Sequence, residues 1–196
     1  MNGKIISVRT KGKTVSLVEL TVLAGEGKTK YTVSEGTYRK IGCPLSGEII
    51  DGDSLEKLSR DDEERRAIIK ALSILSYADN NKRTLYTKLT ARGFSPDVAR
   101  ATVEECVRLG YIDEQGQLER YILKYHEQLL GPKKIMAKLA SRSYPPTQVS
   151  KMISSLEAQG KIDFTASKKQ LLGKELPSDA SYEEKRKLLY KYGYIK

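Results

Sequence analysis

The amino-acid sequence predicts a mainly α chain: tandem three-helix repeats of about fifty residues forming an elongated curved array, behind a small β-rich N-terminal domain. Three observations predict it. The apolar pattern changes from a period of two to a helical period near Asp61. The chain matches itself when shifted by fifty residues, so that Leu89, Leu139 and Leu189 fall together, as do Phe94, Tyr144 and Tyr194. Gly-x-Ile-Asp occurs at Gly110–Asp113 and again at Gly160–Asp163, and Gly193-Tyr194-Ile195 begins it once more.

Residues 1–60 form the β-rich domain. Lys4–Lys11, Thr14–Leu20 and Lys28–Val33 are β-branched runs, separated by Lys11-Gly12-Lys13 and by the Gly-Glu-Gly that follows Ala24. These read as antiparallel strands joined by turns. Ser34 then caps a short helix, and a further short strand is expected at Glu48–Ile50.

Three helical units follow, at 61–113, 114–163 and 164–196. In the first, helices are expected near 61–78, 82–92 and 96–109. The acidic run Asp61–Glu64 reads as a helix start that complements the helix dipole, with Ala67, Ile68, Ala71, Leu72 and Leu75 on the apolar stripe behind it. Gly93, Gly110, Gly160 and Gly193 sit where a helix ends in a left-handed residue, and Ser143 takes the same place in the second unit. Asp113 and Asp163 then cap the first helix of the next unit, while Ile112 and Ile162 enter the core. In the third unit helices are expected near Phe164–Gly173 and Tyr182–Tyr192, the second opened by a capping box from Ser181 to Glu184. The third unit lacks a third helix and reads as incomplete.

Charge narrows the function. The net charge is +10, and residues 114–196 hold 16 basic against 9 acidic residues, so an anionic partner is expected for the second half. No apolar run is long enough to span a bilayer and no secretory leader is visible, which makes a cytoplasmic location the expectation. Cys43 and Cys106 have no metal-ligand spacing and read as reduced, partly buried thiols. The single histidine, His126, has no catalytic motif around it, and the Gly-Glu-Gly-Lys near Gly27 lacks the spacing of a phosphate loop. No metal, cofactor or catalytic residue is expected.

The stretch Leu85–Asp113, the joint Gly110-Tyr111-Ile112-Asp113-Glu114 followed by Arg120-Tyr121-Ile122, and Gly131-Pro132-Lys133-Lys134-Ile135 resemble the RecX family of regulators of the RecA recombinase. The resemblance covers roughly residues 61–196, and the strand-rich piece before them also resembles that of many members from Gram-positive bacteria. Departures are Ala78-Asp79-Asn80-Asn81, where the family usually has arginine, Glu114 for a second aspartate, and Gln117-Leu118 for an aromatic and alanine. The resemblance implies a non-enzymatic protein that lies along the RecA–single-stranded DNA filament and inhibits or tunes it in recombination, DNA repair and the SOS response. The residues expected at the RecA and DNA contact are Lys82, Arg83, Lys88 and Arg92 in the first unit, with Lys124, Lys133, Lys134, Lys138 and Arg142 in the second. Lys185, Arg186, Lys187 and Lys191 supply the third, and the repeat is expected to put Lys134, Lys138 and Lys185 at near-equivalent positions.

Tyr121 and Tyr125 fall on the expected core face, whereas Tyr86, Tyr190 and Tyr192 are candidates for stacking on bases. The alternative is a DNA-binding protein of helix-turn-helix or sequence-independent type. Ser95–Gly110 is mixed in charge and Thr147–Gly160 carries one lysine, so neither suits a recognition helix in a major groove. Small-angle scattering should find an elongated monomer; a profile of one compact globule would contradict the repeat reading.

Overall fold

A computed structural model describes residues 2–11 and 16–195. Its elements, in chain order, are β1 (Gly3–Lys11), β2 (Leu17–Ala24), β3 (Gly27–Ser34), α1 (Glu35–Lys40), β4 (Ile49–Ile50), α2 (Gly52–Tyr77), α3 (Lys82–Thr90), α4 (Pro96–Arg108), α5 (Glu114–Glu127), α6 (Pro132–Ala140), α7 (Pro146–Ala158), α8 (Phe164–Glu175) and α9 (Tyr182–Tyr192). They group into two compact units, Met1–Ala78 with Leu85–Leu109, and Asp79–Thr84 with Gly110–Lys196.

In the first unit the strands form one antiparallel sheet in the order β3-β2-β1-β4. Alternation along β2 sends Val18, Leu20 and Val22 to one face, where Ile5, Val33, Ile50 and Leu58 join them in a closed apolar core. The turn between β2 and β3 is two residues long, with Gly25 at φ 63°, which a side chain would disfavour. Ser34 caps α1 as expected, accepting from the Thr37 N–H. The expected start of β2 at Thr14 and the turn at Gly12-Lys13 lie outside the described residues.

Two expectations are corrected here. The helix expected to begin at Asp61 begins a full nine residues earlier, with Asp51 as its cap, so Asp61–Glu64 lie inside a 26-residue helix. There they do a different job. Asp61 accepts the Ser34 N–H at 2.6 Å, Asp62 the Thr32 N–H at 2.8 Å, and Glu63 the Ser95 N–H at 2.6 Å. The carboxylates thus fasten α2 to the outer edge of β3 and to the start of α4, because an edge strand has N–H groups with no partner within its own sheet. The second correction concerns Cys43. It is exposed, at φ 53°, whereas Cys106 is buried as expected.

Across the units the helices recur at the expected spacing. α3, α6 and α9 begin at Lys82, Pro132 and Tyr182, α4 and α7 at Pro96 and Pro146, α5 and α8 at Glu114 and Phe164. The endings recur too: Phe94, Tyr144 and Tyr194 donate their N–H to the carbonyls of Leu89, Leu139 and Leu189. Gly93, Ser143 and Gly193 before them are left-handed, at φ 86°, 66° and 83°. Asp113 and Asp163 cap α5 and α8, and Ile112 and Ile162 are buried. In the second unit Ile162 joins Leu118, Ile122, Ile135, Leu139 and Val149 in one core.

Asp62 is 8% exposed and holds both the Thr32 N–H and Arg66. Replacing it with alanine strands that N–H, and urea unfolding should show a loss of about 1 to 3 kcal/mol. A loss no larger than that of an exposed helix charge would return the residue to a propensity role.

Candidate functional site

The second unit carries the basic surface. On α6 the apolar residues Ile135 and Leu139 turn inward and leave Lys133, Lys134 and Lys138 exposed. On α9 Leu189 is the buried residue, and Arg186, Lys187 and Lys191 are exposed, the two lysines on the side away from it. The expected equivalence of Lys134, Lys138 and Lys185 does not hold. With α6 and α9 in strict register, Lys185 occupies the place of buried Ile135 and is half-buried, while Glu184 and Leu188 stand where α6 has Lys134 and Lys138.

Several of the expected contact residues have partners within the unit. Lys82 faces Glu114, its Nζ 3.9 Å from Oε2, and its N–H donates to Oε1 at 2.8 Å. Arg142 lies over the Tyr121 ring at 4.5 Å and Lys138 over the Tyr125 ring at 5.3 Å. Tyr121 stacks on Tyr125 and meets Tyr144 edge-on, so two cations and three phenols form one cluster, held by both charge–quadrupole attraction and packing. Tyr125 is buried, in keeping with the core reading of this pair. Lys191 lies 5.7 Å from the centre of the Tyr192 ring. Lys124 and Lys187 are exposed and pair with no carboxylate among the described residues. Arg83 is exposed on the first turn of α3; in the other unit Lys88 is half-buried, and Arg92 is exposed and donates to the Lys88 carbonyl.

Two features go beyond the expected residues. Arg186 and Tyr190 are named from the sequence, but Tyr182 and the row the three make are not. Tyr182 and Tyr190 are 78% and 67% exposed, and with Arg186 between them they make an aromatic–guanidinium–aromatic row along α9. The neighbouring row, Glu183, Lys187 and Lys191, runs beside it. The spacing of i, i+4, i+8 was visible in the sequence; nothing there said which face would be outermost. The second feature is Asn81. Its Oδ1 accepts the Thr84 N–H at 2.8 Å, and its Nδ2 donates to the Arg142 carbonyl at 2.7 Å. Asn81, the last residue of the departure, is therefore a structural joint of the second unit.

His126 is likewise employed in packing. Its Nε2 lies 3.2 Å from the Asp163 N–H donor and 2.8 Å from the Ser167 hydroxyl, tying α5 to the start of α8. No helix among the described residues is long and apolar enough to cross a membrane, and none of their acidic, histidine and cysteine side chains group to hold a metal.

No protein-family model matches the chain. Curated relatives do. A regulatory protein RecX of Lactobacillus johnsonii is 26% identical over 115 residues, 57% of this chain and 41% of that protein. One from Legionella pneumophila is 30% identical over 88 residues, 59% of its length, and one from Xanthomonas axonopodis pv. citri 25% identical over 133 residues, 80% of its length. A crystal structure of a regulatory protein RecX matches 98% of this chain and 95% of its own, with a TM-score of 0.68 at 14% identity. In sequence and in fold the chain is similar to RecX proteins. The match spans well under half of the Lactobacillus relative and just under three fifths of the Legionella one. The solved RecX shares the fold: a small sheet followed by helices in series.

Burial pushes the Tyr144 phenol up to about 12, with Tyr121, Glu114 and Asp79 adding to the push and Arg142 opposing it. An unfolded tyrosine ionises near pH ~10. The folded state therefore keeps a proton that the unfolded state loses. The stability Tyr144 contributes should be complete below about pH 10 and disappear as pH rises through about 12. Urea unfolding of the wild type and of Tyr144→Phe across that window should show the wild type losing more; parallel curves would mean that the phenol titrates unperturbed.

Proposed function

We propose that the chain regulates a RecA recombinase without being an enzyme, binding the RecA–single-stranded DNA filament and inhibiting it. The observation that carries this is the exposed face of α9, where Tyr182, Arg186 and Tyr190 lie in one row beside Lys187 and Lys191. Exposed rings offer stacking to bases of any sequence, and the flanking cations offer charge to phosphates. Lys133 and Lys134 on α6 extend the basic surface. The relatives' name, regulatory protein, supports a role in control. In this reading 61–113, 114–163 and 164–196 are the working repeats, the protein acts as a cytoplasmic monomer, and Lys82 and Arg142 support the surface more than they contact the filament.

The same face suits a sequence-independent single-strand binder that ignores RecA, and one experiment separates the two. Lys133→Glu, Arg186→Glu, Lys187→Glu and Lys191→Glu combined should leave the helical circular dichroism intact, since exposed charge changes cost about 0.5 kcal/mol each. The combined variant should need at least about tenfold more protein to slow RecA-dependent ATP hydrolysis on single-stranded DNA. Undiminished inhibition would place the contact on another face. Loss of bare-DNA affinity, with no inhibition by the wild type either, would favour the simple DNA binder.

A further inference from the structure

The first unit has a surface, along β3 and α2, apart from the α6 and α9 faces on which the filament reading rests. β3 is an outer strand, and its N–H groups alternate between β2 and the outside. Those of Thr32 and Ser34 face outward and are held by Asp62 and Asp61. By the two-residue period of the strand, the N–H groups of Lys28 and Lys30 face the same way, short of the stretch those two carboxylates cover. One half of this edge is plugged. The other half borders a groove of about 610 Å³ lined by Thr29–Thr32 on one side and by Asp62, Arg65, Arg66 and Ile69 of α2 on the other. Arg66 and Ile69 also line a second hollow of about 500 Å³, which runs on past Lys70 to Arg92 and Phe94.

The charge of this groove is one-sided. Arg65 and Lys70 pair with no carboxylate among the described residues, and Arg92 donates to a backbone carbonyl. The carboxylates at hand are spent: Asp62 holds Thr32 and Arg66, and Glu19 holds Lys11 and Lys30. Between the cations Ile69 stands 57% exposed.

We propose that this groove binds an acidic, extended segment of another protein, which adds to the open half of β3 as a further strand and sets an apolar side chain against Ile69. An extended peptide supplies the alternating carbonyls and N–H groups that an open edge requires, and its alternate residues, which share one face, set acidic groups against Arg65 and Lys70 with an apolar one between them. Nucleic acid offers no such backbone. A second copy of this chain is disfavoured by its own edge, since Gly27–Lys30 paired with itself would set lysines against lysines. The inference is independent of the filament reading.

The test uses the full chain and a short fluorescent peptide whose alternate residues are glutamate, valine and glutamate, with threonine between them, so that the three share one face of the strand. Binding should shift the backbone amide signals of Lys28 and Lys30, and Arg65→Glu with Lys70→Glu should weaken it by at least about tenfold. The peptide methylated on alternate amide nitrogens keeps its charge and should not bind. The amide shifts are read on the wild type, so they stand even if the double variant folds poorly. Equal affinity for the methylated peptide, shifts confined to residues away from β3, or displacement of the peptide by an oligothymidine would each overturn the proposal.

Discussion

A helix leaves its first N–H groups and its last carbonyls without partners, and buried ends must find them elsewhere. In the second unit this constraint organises the joints. The Gly131 N–H ahead of α6 donates to the Tyr192 carbonyl at the end of α9, and the Lys133 N–H to that of Gly193. One repeat earlier, Asn81 and Arg142 hold the equivalent positions and make the equivalent contact, with an amide side chain where Gly131 uses its backbone. The opposed dipole ends attract as well as hydrogen-bond. The basic faces of α6 and α9 are presented by this end-to-end docking.

The glycines follow from it. A Cβ on Gly131 would come within 2.6 Å of the Gly193 carbonyl carbon, and one on Gly193 within 2.5 Å of the Lys134 nitrogen. Direct backbone contact leaves no room at either position. Where Asn81 spans the gap with its side chain, the counterpart of Gly193 is Ser143, which keeps its Cβ and accepts a left-handed backbone at φ 66°. So the same turn tolerates serine or demands glycine according to how far its neighbour stands, a rule that conformational preference alone would not supply.

Much of this architecture was legible because it is local. Helix caps, left-handed stops and the apolar period act within a few residues, so Asp113, Asp163, Gly110, Gly160 and the Ser181 capping box could be read from the chain and recur in the structure. What could not be read is what depends on a distant partner. Four acids in a row look alike whether they start a helix or hold a strand edge some thirty residues earlier in the chain, and only the fold separates Asp62 on Thr32 from a capping role. Lys185 misled for a related reason: counting cations along α9 ignores the phase at which Leu189 fixes its inner face. In the candidate site the charges were visible and their employment was not, which is why Lys82, Lys138 and Arg142 proved to have partners in Glu114, Tyr125 and Tyr121.

The three positions Asn81, Gly131 and Ser181 solve one problem in three ways, and the difference bears on the binding face. Asn81 and Gly131 reach across to another helix end, which engages backbone carbonyls there while Arg83, Lys133 and Lys134 stay exposed. Ser181 instead accepts the Glu184 N–H while Glu184 returns to the Ser181 N–H, so α9 closes its own amino end. Tyr182, next in the chain, is exposed, whereas Pro132 is half-buried and the Lys82 N–H is held by Glu114. A helix whose amino end needs no partner can turn its first rows of side chains outward. The aromatic and basic row lies on α9, while α6, built on the same register, carries Pro132, Met136 and Ala140 in the corresponding places and exposes its lysines on the neighbouring rows.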